Sequence, residues 1–522
     1  MGINSLYLNE HDLKEQLIKF GYFSDHIPPC FSSELLYNHY EALTSSCDKG
    51  YSESLTITIA KNDDHRRTIK IPNPEQQLLL FKYILDNIEK IQSILRSNKH
   101  SLSNPIKTEL IHYDDEATFF DIPFLKDKHK IRSSYIKSLD TKIRKSMGYK
   151  FLYKLDLSNF YDSIYTHAIE WAIIGKDKAK ENVHKKTYKN NLGEMLDKLV
   201  RNTNYNETSG IPTGPFSSRI ISELILKKID NDIENLTKEV GFKFIHYVDD
   251  YEFYFRNEAD FKKIIPKIRK VFDFYRLKIN ESKSKFYYYP FHNAKDLKEE
   301  FSFYIQNFKK SQNKHEVRLL FFKADELVQR GEKGAYKYLY KQLDKTDLTF
   351  VWKEIEPFLI GHLLIKPSLA QYIINIIVDH DELVSNELLI ELRENLFISI
   401  ENHMDNEAQW LFWTLRKLKY NFSAKDIAKL LKLTEDDILI IMILDTAHYE
   451  KKIETKSVSK AIDELLTRIS NDNLRSERWL LIYEWVFNKW YKFDTLESKI
   501  NDFKFFKALK NRKINFYTSI EI

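Results

Sequence analysis

The chain has 522 residues, 43% of them hydrophobic and 30% charged, which suits two or more globular domains and excludes a disordered or fibrous protein. Its net charge of +5, from 81 Lys+Arg against 76 Asp+Glu, is too small to argue nucleic-acid binding from bulk charge. Two cysteines, Cys30 and Cys47, exclude a disulfide framework and a cysteine-rich metal site, and point to a reducing compartment.

The first residues carry Asn, Glu and Asp early and no long apolar stretch, so no signal peptide is expected. Leu6 stands where a myristoylation signal needs Ser or Thr. The longest apolar run, Ile438 to Leu444, is far short of a membrane span. The expectation is a soluble, cytoplasmic protein with no membrane partner.

Ser54 to Ile59 reads as a strand, and Thr68 to Ile71 follows a polar turn at Asn62-Asp63-Asp64, which predicts a hairpin. Gln76 to Ser93 has the spacing of an amphipathic helix. Lys150 to Leu157, Phe242 to Tyr247 and Asp250 to Phe255 read as further strands, the last two flanking a tight turn. From Ser368 to Ile522 there is neither Gly nor Pro, and 155 residues without a breaker predict a stack of helices. Capping signals recur within it, at Ser423 with Asp426 and at Thr434 with Asp437. Six of the seven tryptophans fall in the second half, as core between helices. The division expected is 1–300 for an α+β domain and 301–522 for an all-α domain.

The chemistry concentrates in two acidic stretches. Tyr153 to Ser163 (YKLDLSNFYDS) reads as a strand, turn and helix with Asp156 at the strand end. Phe244 to Phe255 (FIHYVDDYEFYF) puts Asp249 and Asp250 in a hairpin turn. Adjacent aspartates in a turn have an ordinary explanation, since Asp favours turns. Together with Asp156, however, they form the set that nucleotidyl transfer requires: carboxylates able to hold two divalent ions roughly 3.5–4 Å apart. Asp156 and Asp249 would bridge the ions, the carbonyl of Leu157 would complete one site, and Asp250 would support it.

YVDD preceded by D-x-x-x-F-Y-D-S resembles the palm motifs of reverse transcriptases. Between them lies Ser209 to Ser218 (SGIPTGPFSS), similar to the family's P-Q-G-x-x-x-S loop, which contacts the templating base and incoming nucleotide. Here Pro212, Thr213 and Gly214 stand at that loop, with Thr213 replacing the usual glutamine. The departure puts ordinary templated copying in question. Arg66 to Pro72 resembles the fingers strand whose arginine grips the triphosphate; Arg67 aligns best with it, with Lys61 assisting. Leu277 to Lys285 resembles the later palm motif L-x-x-N-x-x-K, placing Lys283 near the leaving phosphate. Tyr161 falls where the family keeps a ring beneath the sugar, which favours deoxynucleotides.

The resemblance covers roughly residues 50 to 300. The wording DLSNFYDSIYTHAIEWAI and SGIPTGPFSSRIISELIL, and a long helical region where a short thumb would stand, are similar to the bacterial abortive-infection reverse transcriptases, the AbiK-like and prophage-borne kind. That resemblance implies a fingers–palm domain followed by an all-α helical-repeat (HEAT-like) domain. It further implies a homo-oligomer acting in defence against bacteriophage, with two Mg2+ ions (Mn2+ as a substitute) and dNTP substrates. Such enzymes synthesise DNA without a template and prime from a hydroxyl of their own chain, so that single-stranded DNA stays covalently attached. With 31 tyrosines, the sequence does not name the priming residue. A templated, retron-like RNA-directed DNA polymerase and a catalytically silent nucleic-acid-binding scaffold are the alternatives. Lys126, Lys128, Lys130, Arg132, Lys137, Lys142, Arg144, Lys145 and Lys150 before Asp156, and Lys176 to Lys189 after it, suggest a positive rim for DNA and triphosphate.

Overall fold

The structure, a computed structural model, describes residues 6–24, 26–62, 65–108, 135–182, 191–291, 297–330, 332, 334–344, 346–366 and 369–520. They divide into two compact units. One comprises residues 1–24, 33–55 and 70–292; the other comprises 25–32, 56–69 and 293–522.

The sequence hairpin forms as β1 (Ser54–Asn62) and β2 (His65–Pro72), a two-stranded sheet; Asp63 and Asp64 of its predicted turn lie outside the described residues. β2 runs straight into α1 (Pro74–Asp86), whose start is fixed by Pro74 and by Asn73, which accepts from the Glu75 amide at 3.0 Å. The helix expected to continue to Ser93 instead breaks at Asn87 and restarts as Ile88–Arg96. Asn87 donates to the Tyr83 carbonyl at 3.0 Å, so its side chain competes with the helix ladder at that point.

The first unit is built on a four-stranded sheet. Its strands are β3 (Phe151–Asp156), β4 (Lys243–Tyr247), β5 (Asp250–Phe255) and β6 (Lys285–Tyr288), in the order β4-β5-β3-β6. All three pairings are antiparallel. Tyr153 and Leu155 on one face are buried while Lys154 and Asp156 on the other are partly exposed, so the end of the strand has one wetter face. Phe242, Phe244, Phe253 and Phe255 stack along the sheet, with ring centroids 5.5–6.3 Å apart. The long helix α2 (Phe216–Leu236), largely buried, and α3 (Glu258–Phe274) complete this layer, with Tyr251 edge-on to Phe272 at 5.1 Å. Asn257 caps α3 by accepting from the Asp260 amide at 2.8 Å.

Among its described residues, the second unit forms successive helices between Leu297 and Asn511, and those from Ala370 onward fill the stretch whose lack of breakers predicts them. Helices pack on their next-but-one neighbours. Trp352–Ile365 meets Asn386–Glu401, and Ala370–Asp379 meets α4 (Asp405–Lys417). α4 in turn packs on α6 (Asp437–Tyr449), and α6 on α7 (Trp479–Phe487); α5 (Ala424–Leu433) lies between α4 and α6 in sequence. Each element needs its neighbours to bury its apolar face, the logic of a helical-repeat stack. Trp352, Trp410, Trp413, Trp479, Trp485 and Trp490 are all core. Ser423 and Asp426 form the reciprocal cap predicted for α5. The cap of α6 is not Thr434 but Asp436, which accepts from the Leu439 amide at 2.7 Å. Thr434 is extended at the end of α5, and its hydroxyl accepts the Asp436 amide. The fold is thus α+β with a sheet-based domain followed by an all-α repeat-like region.

Among the described residues, no helix is long and apolar enough to cross a membrane.

Candidate active site

The carboxylates come together at one end of the β5–β3 pair. Asp156, the last residue of β3, is the register partner of Asp250, the first of β5. The hairpin between β4 and β5 is tight: Tyr247 pairs with Asp250, leaving only Val248 and Asp249 in the turn. Val248 has φ +53°, the left-handed region that a two-residue hairpin needs at its first loop position. The Asp249 carbonyl accepts from the Leu157 amide at 3.3 Å, so the turn is tied directly to the residue after Asp156.

The motif around Asn280 closes on the other side. The Asn280 amide donates to the Asp156 carbonyl at 2.8 Å, and the Ser158 amide to the Lys278 carbonyl at 2.8 Å, with Leu157 bridging Ile279. This wrapping brings the Lys283 ammonium to 3.4 Å from the Asp156 carboxylate.

Burial and the neighbouring charges of Asp249 and Asp156 push the Asp250 carboxyl up to about 6, against the opposing pull of Lys283 and Lys142. That mutual repulsion is what a bound divalent cation relieves. Among the described residues, no three His, Cys, Asp or Glu side chains form a ready-made metal cage. Magnesium seldom uses one: it takes one or two carboxylates and completes its shell with water and substrate phosphates. The donor set of two facing aspartates, a third beside them and backbone carbonyls fits such an ion.

Tyr161 lies half-buried beside this centre. Burial raises its phenol, while the Arg219 guanidinium and the Ser222 hydroxyl pull it back and the Asp249 charge raises it further. Its carbonyl accepts from the Ile211 amide at 3.0 Å, and the Gly210 amide donates to the Ile164 carbonyl at 2.8 Å. The loop of Pro212, Thr213 and Gly214 therefore runs alongside the segment that follows Asp156. Gly214 has φ +128°, a conformation that favours glycine. The Thr213 carbonyl accepts from the Lys70 amide at 2.8 Å, joining the end of β2 to this loop.

Lys61 and Arg67 are on the hairpin residues grouped with the helical unit. Arg67 is exposed, and its charge, with that of Lys337, adds to burial in lowering the His26 imidazole to about 4. Its neighbour Arg66 is structural. Arg66 reaches both oxygens of Glu407 at 2.8 and 3.2 Å and the Thr58 carbonyl at 2.8 Å. Of the expected positive rim, Lys126, Lys128, Lys130 and Arg132, and the lysines from 183 to 190, lie outside the described residues. Lys142 is spent on Glu252 at 2.9 Å.

Sequence reasoning missed a buried polar set beneath the turn: Asn98, Glu223, Asp230, His246 and Tyr251. A usable sign was present, since Glu223 and Asp230 stand seven residues apart on one face of a helix rich in Ile and Leu.

Residues 60–324 match the family model described as "Reverse transcriptase (RNA-dependent DNA polymerase)", 265 of the 522 residues. The chain belongs to the reverse transcriptase family. As a reverse transcriptase it is a polymerase-type nucleotidyltransferase, from a family that works on nucleic acid with dNTPs and divalent metals. No curated protein matches the chain. Solved structures similar to this reverse transcriptase include apo telomerase from Candida tropicalis, at 11% identity and a TM-score of 0.35, covering 83% of this chain and 74% of that one. Telomerase from Candida albicans in complex with a fragment of telomeric RNA matches at 13% identity and a TM-score of 0.30, covering 72% and 70%. A Candida tropicalis telomerase truncated from its C-terminal domain matches at 13% and 0.31, over 47% of this chain, and the match spans about half (51%) of that protein. Scores this low do not carry the fold assignment, which rests on the family match and the sheet geometry.

Proposed function

We propose that this reverse transcriptase is a DNA polymerase of the abortive-infection kind, extending DNA without a template from a hydroxyl of its own chain. The observation that carries the polymerase reading is the register pairing of Asp156 with Asp250, with Lys283 against the former. Asp156, Asp249, Asp250 and the Leu157 carbonyl would hold two Mg2+ ions, which supply activation of the attacking oxygen and charge neutralisation at the leaving pyrophosphate when bound.

The remaining chemistry belongs to the chain itself. Lys283 offers an ammonium to the departing phosphate, half in solvent and half against Asp156. Arg67 grips the triphosphate, with Lys61 assisting. The Tyr161 ring excludes a 2′-hydroxyl and so selects deoxynucleotides. Pro212, Thr213 and Gly214 shape the nucleotide-facing loop.

Two features support the untemplated, self-primed reading over ordinary copying. Thr213 lacks the amide that the family's glutamine brings to the template contact. The long helical region, 301–522 in the proposed division, follows a fingers and palm of 1–300 in the sequence, where a short thumb would otherwise come. The resemblance of the motif wording to AbiK-like enzymes adds a homo-oligomer, a cytoplasmic location and a role in antiphage defence. The family description favours the second reading, an RNA-templated DNA polymerase. Intact carboxylates weigh against a silent scaffold.

Incubation of the full chain with Mg2+ and dNTPs, without template or primer, tests the proposal. DNA that migrates with the protein through detergent and is released by protease is the expected product. Product that forms only with added template and carries no protein overturns the untemplated reading in favour of the templated one.

A further inference from the structure

The buried polar set beneath the β4–β5 turn is connected atom by atom to the backbone that presents Asp249. Asp230, on α2, is fully buried. One of its oxygens accepts from His246 Nε2 and from Asn98 Nδ2, both at 2.9 Å. The other accepts from the Tyr251 hydroxyl at 3.2 Å. His246 then reaches across with Nδ1, 3.1 Å from the Val248 carbonyl. A carbonyl only accepts, so Nδ1 carries a proton. Asp230 already takes three donors, and a carboxylate suits all of them. Burial alone would strip the imidazole of its second proton. The Asp230 charge and hydrogen bond, helped by Glu223, more than reverse that and raise it to about 9.

The other main-chain atom of Val248 is held as well: its amide donates to Ser103 Oγ at 2.8 Å. Ser103 is positioned by the segment from His100 to Leu102, which hydrogen-bonds along β4 through the His246 amide and carbonyl. Both polar atoms of one residue are therefore clamped by side chains, and that residue is a β-branched valine at φ +53°. Left-handed backbone is costly for a branched side chain and persists only where the surroundings impose it. The next residue is Asp249.

We propose that Asp230, acting through His246, and Ser103 are positioning residues that hold Val248 left-handed and so aim Asp249 alongside Asp156. The inference rests on the polymerase reading, since it assigns these groups a role in presenting one of its carboxylates. None of the three touches a reacting atom.

The test uses the full chain with Ser103→Ala, Val248→Gly and the two combined. It measures steady-state dNTP incorporation together with hydrogen–deuterium exchange of the segment 246–251. Ser103→Ala should lower kcat on the order of tenfold with KM for dNTP unchanged, and raise exchange in 246–251 alone. Glycine adopts the left-handed turn without a clamp, so adding Val248→Gly should restore kcat towards that of Val248→Gly by itself. A merely structural serine would gain nothing from that second change. Asp230→Asn should act in the same direction as Ser103→Ala; because it also alters a buried charge, the serine and glycine variants decide the question. Unchanged kcat and exchange in Ser103→Ala, or a double variant no better than the single, overturns the proposal. A wild-type chain that incorporates nothing while exchange still responds to Ser103→Ala sinks the polymerase reading, and leaves the clamp a feature of the fold without the role proposed.

Discussion

Lys283 stands 3.4 Å from Asp156, half-exposed against a mostly buried carboxylate. The pair is set by backbone geometry rather than by chance contact of long side chains, because the Asn280 amide grips the Asp156 carbonyl three residues before the lysine. Lys283→Met removes the one charge from that motif that pulls the Asp250 carboxyl back down. Incorporation should fall by roughly 10²-fold in kcat, the scale of a lost general acid, with the melting temperature unchanged because the ammonium is half in solvent. Steady-state kinetics beside a thermal melt separate the two effects.

Adjacent arginines on β2 should behave oppositely. Arg66 pairs with Glu407, which is only 4% exposed. Arg66→Ala leaves that carboxylate buried and unpaired, a loss of about 3–5 kcal/mol that chemical denaturation would read. Adding Glu407→Gln should recover most of it. Arg67→Ala should leave stability untouched and instead raise KM for dNTP.

Tyr161→Ala should narrow the preference for deoxynucleotides over ribonucleotides, read as the ratio of kcat/KM values for the two. Tyr161→Phe keeps the ring and should keep the preference. Equal discrimination in all three proteins would show that the ring does not face the sugar.

Glu484 lies wholly buried on α7, and its carboxyl is pushed up to about 8 by burial, with the Asp445 charge adding to it against the donors at Phe516, Asn488 and Tyr517. A raised acid favours the folded state while it stays protonated. The stabilisation is full below the unfolded value of 4.5, falls as pH rises through the window, and is gone above about 8. Glu484→Gln should flatten the slope of stability across that window. Asn488 can turn its amide to meet the new side chain, which it now meets as a donor at 3.0 Å. Melts at a series of pH values check the slope; an unchanged slope would place the titration elsewhere.

What the sequence revealed and what it hid follow from the range of the interactions. Strands β3, β4 and β5 were legible because each is a short run rich in aromatic and aliphatic residues, and the acidic turn at Asp249 and Asp250 separates the last two. The helices after residue 368 were legible because that stretch lacks both breakers. The break at Asn87 was hidden because an asparagine inside an amphipathic run reads equally as solvent-facing. The cap of α6 was misplaced by two residues, since Thr434, Asp436 and Asp437 all have capping side chains and only the backbone geometry chooses among them. Of the site, Asp156, Asp249, Asp250 and Lys283 could be picked out from local motifs; the contact of Lys283 with Asp156 at 3.4 Å could not, since the motif placed that lysine only near a leaving phosphate. The Asp230–His246 pair and the Arg66–Glu407 pair could not, because their partners stand 16 and 341 residues apart and nothing local marks either as paired.

Whether Asp156 and its facing aspartates form the polymerising centre is decided by incorporation of labelled dNTP. Purified Asp156→Asn is assayed beside the wild type in Mg2+, with melting temperature and oligomeric state recorded for both. The variant should fold and assemble as the wild type does and incorporate nothing above background. Full incorporation by a correctly folded Asp156→Asn would remove the aspartates from the chemistry.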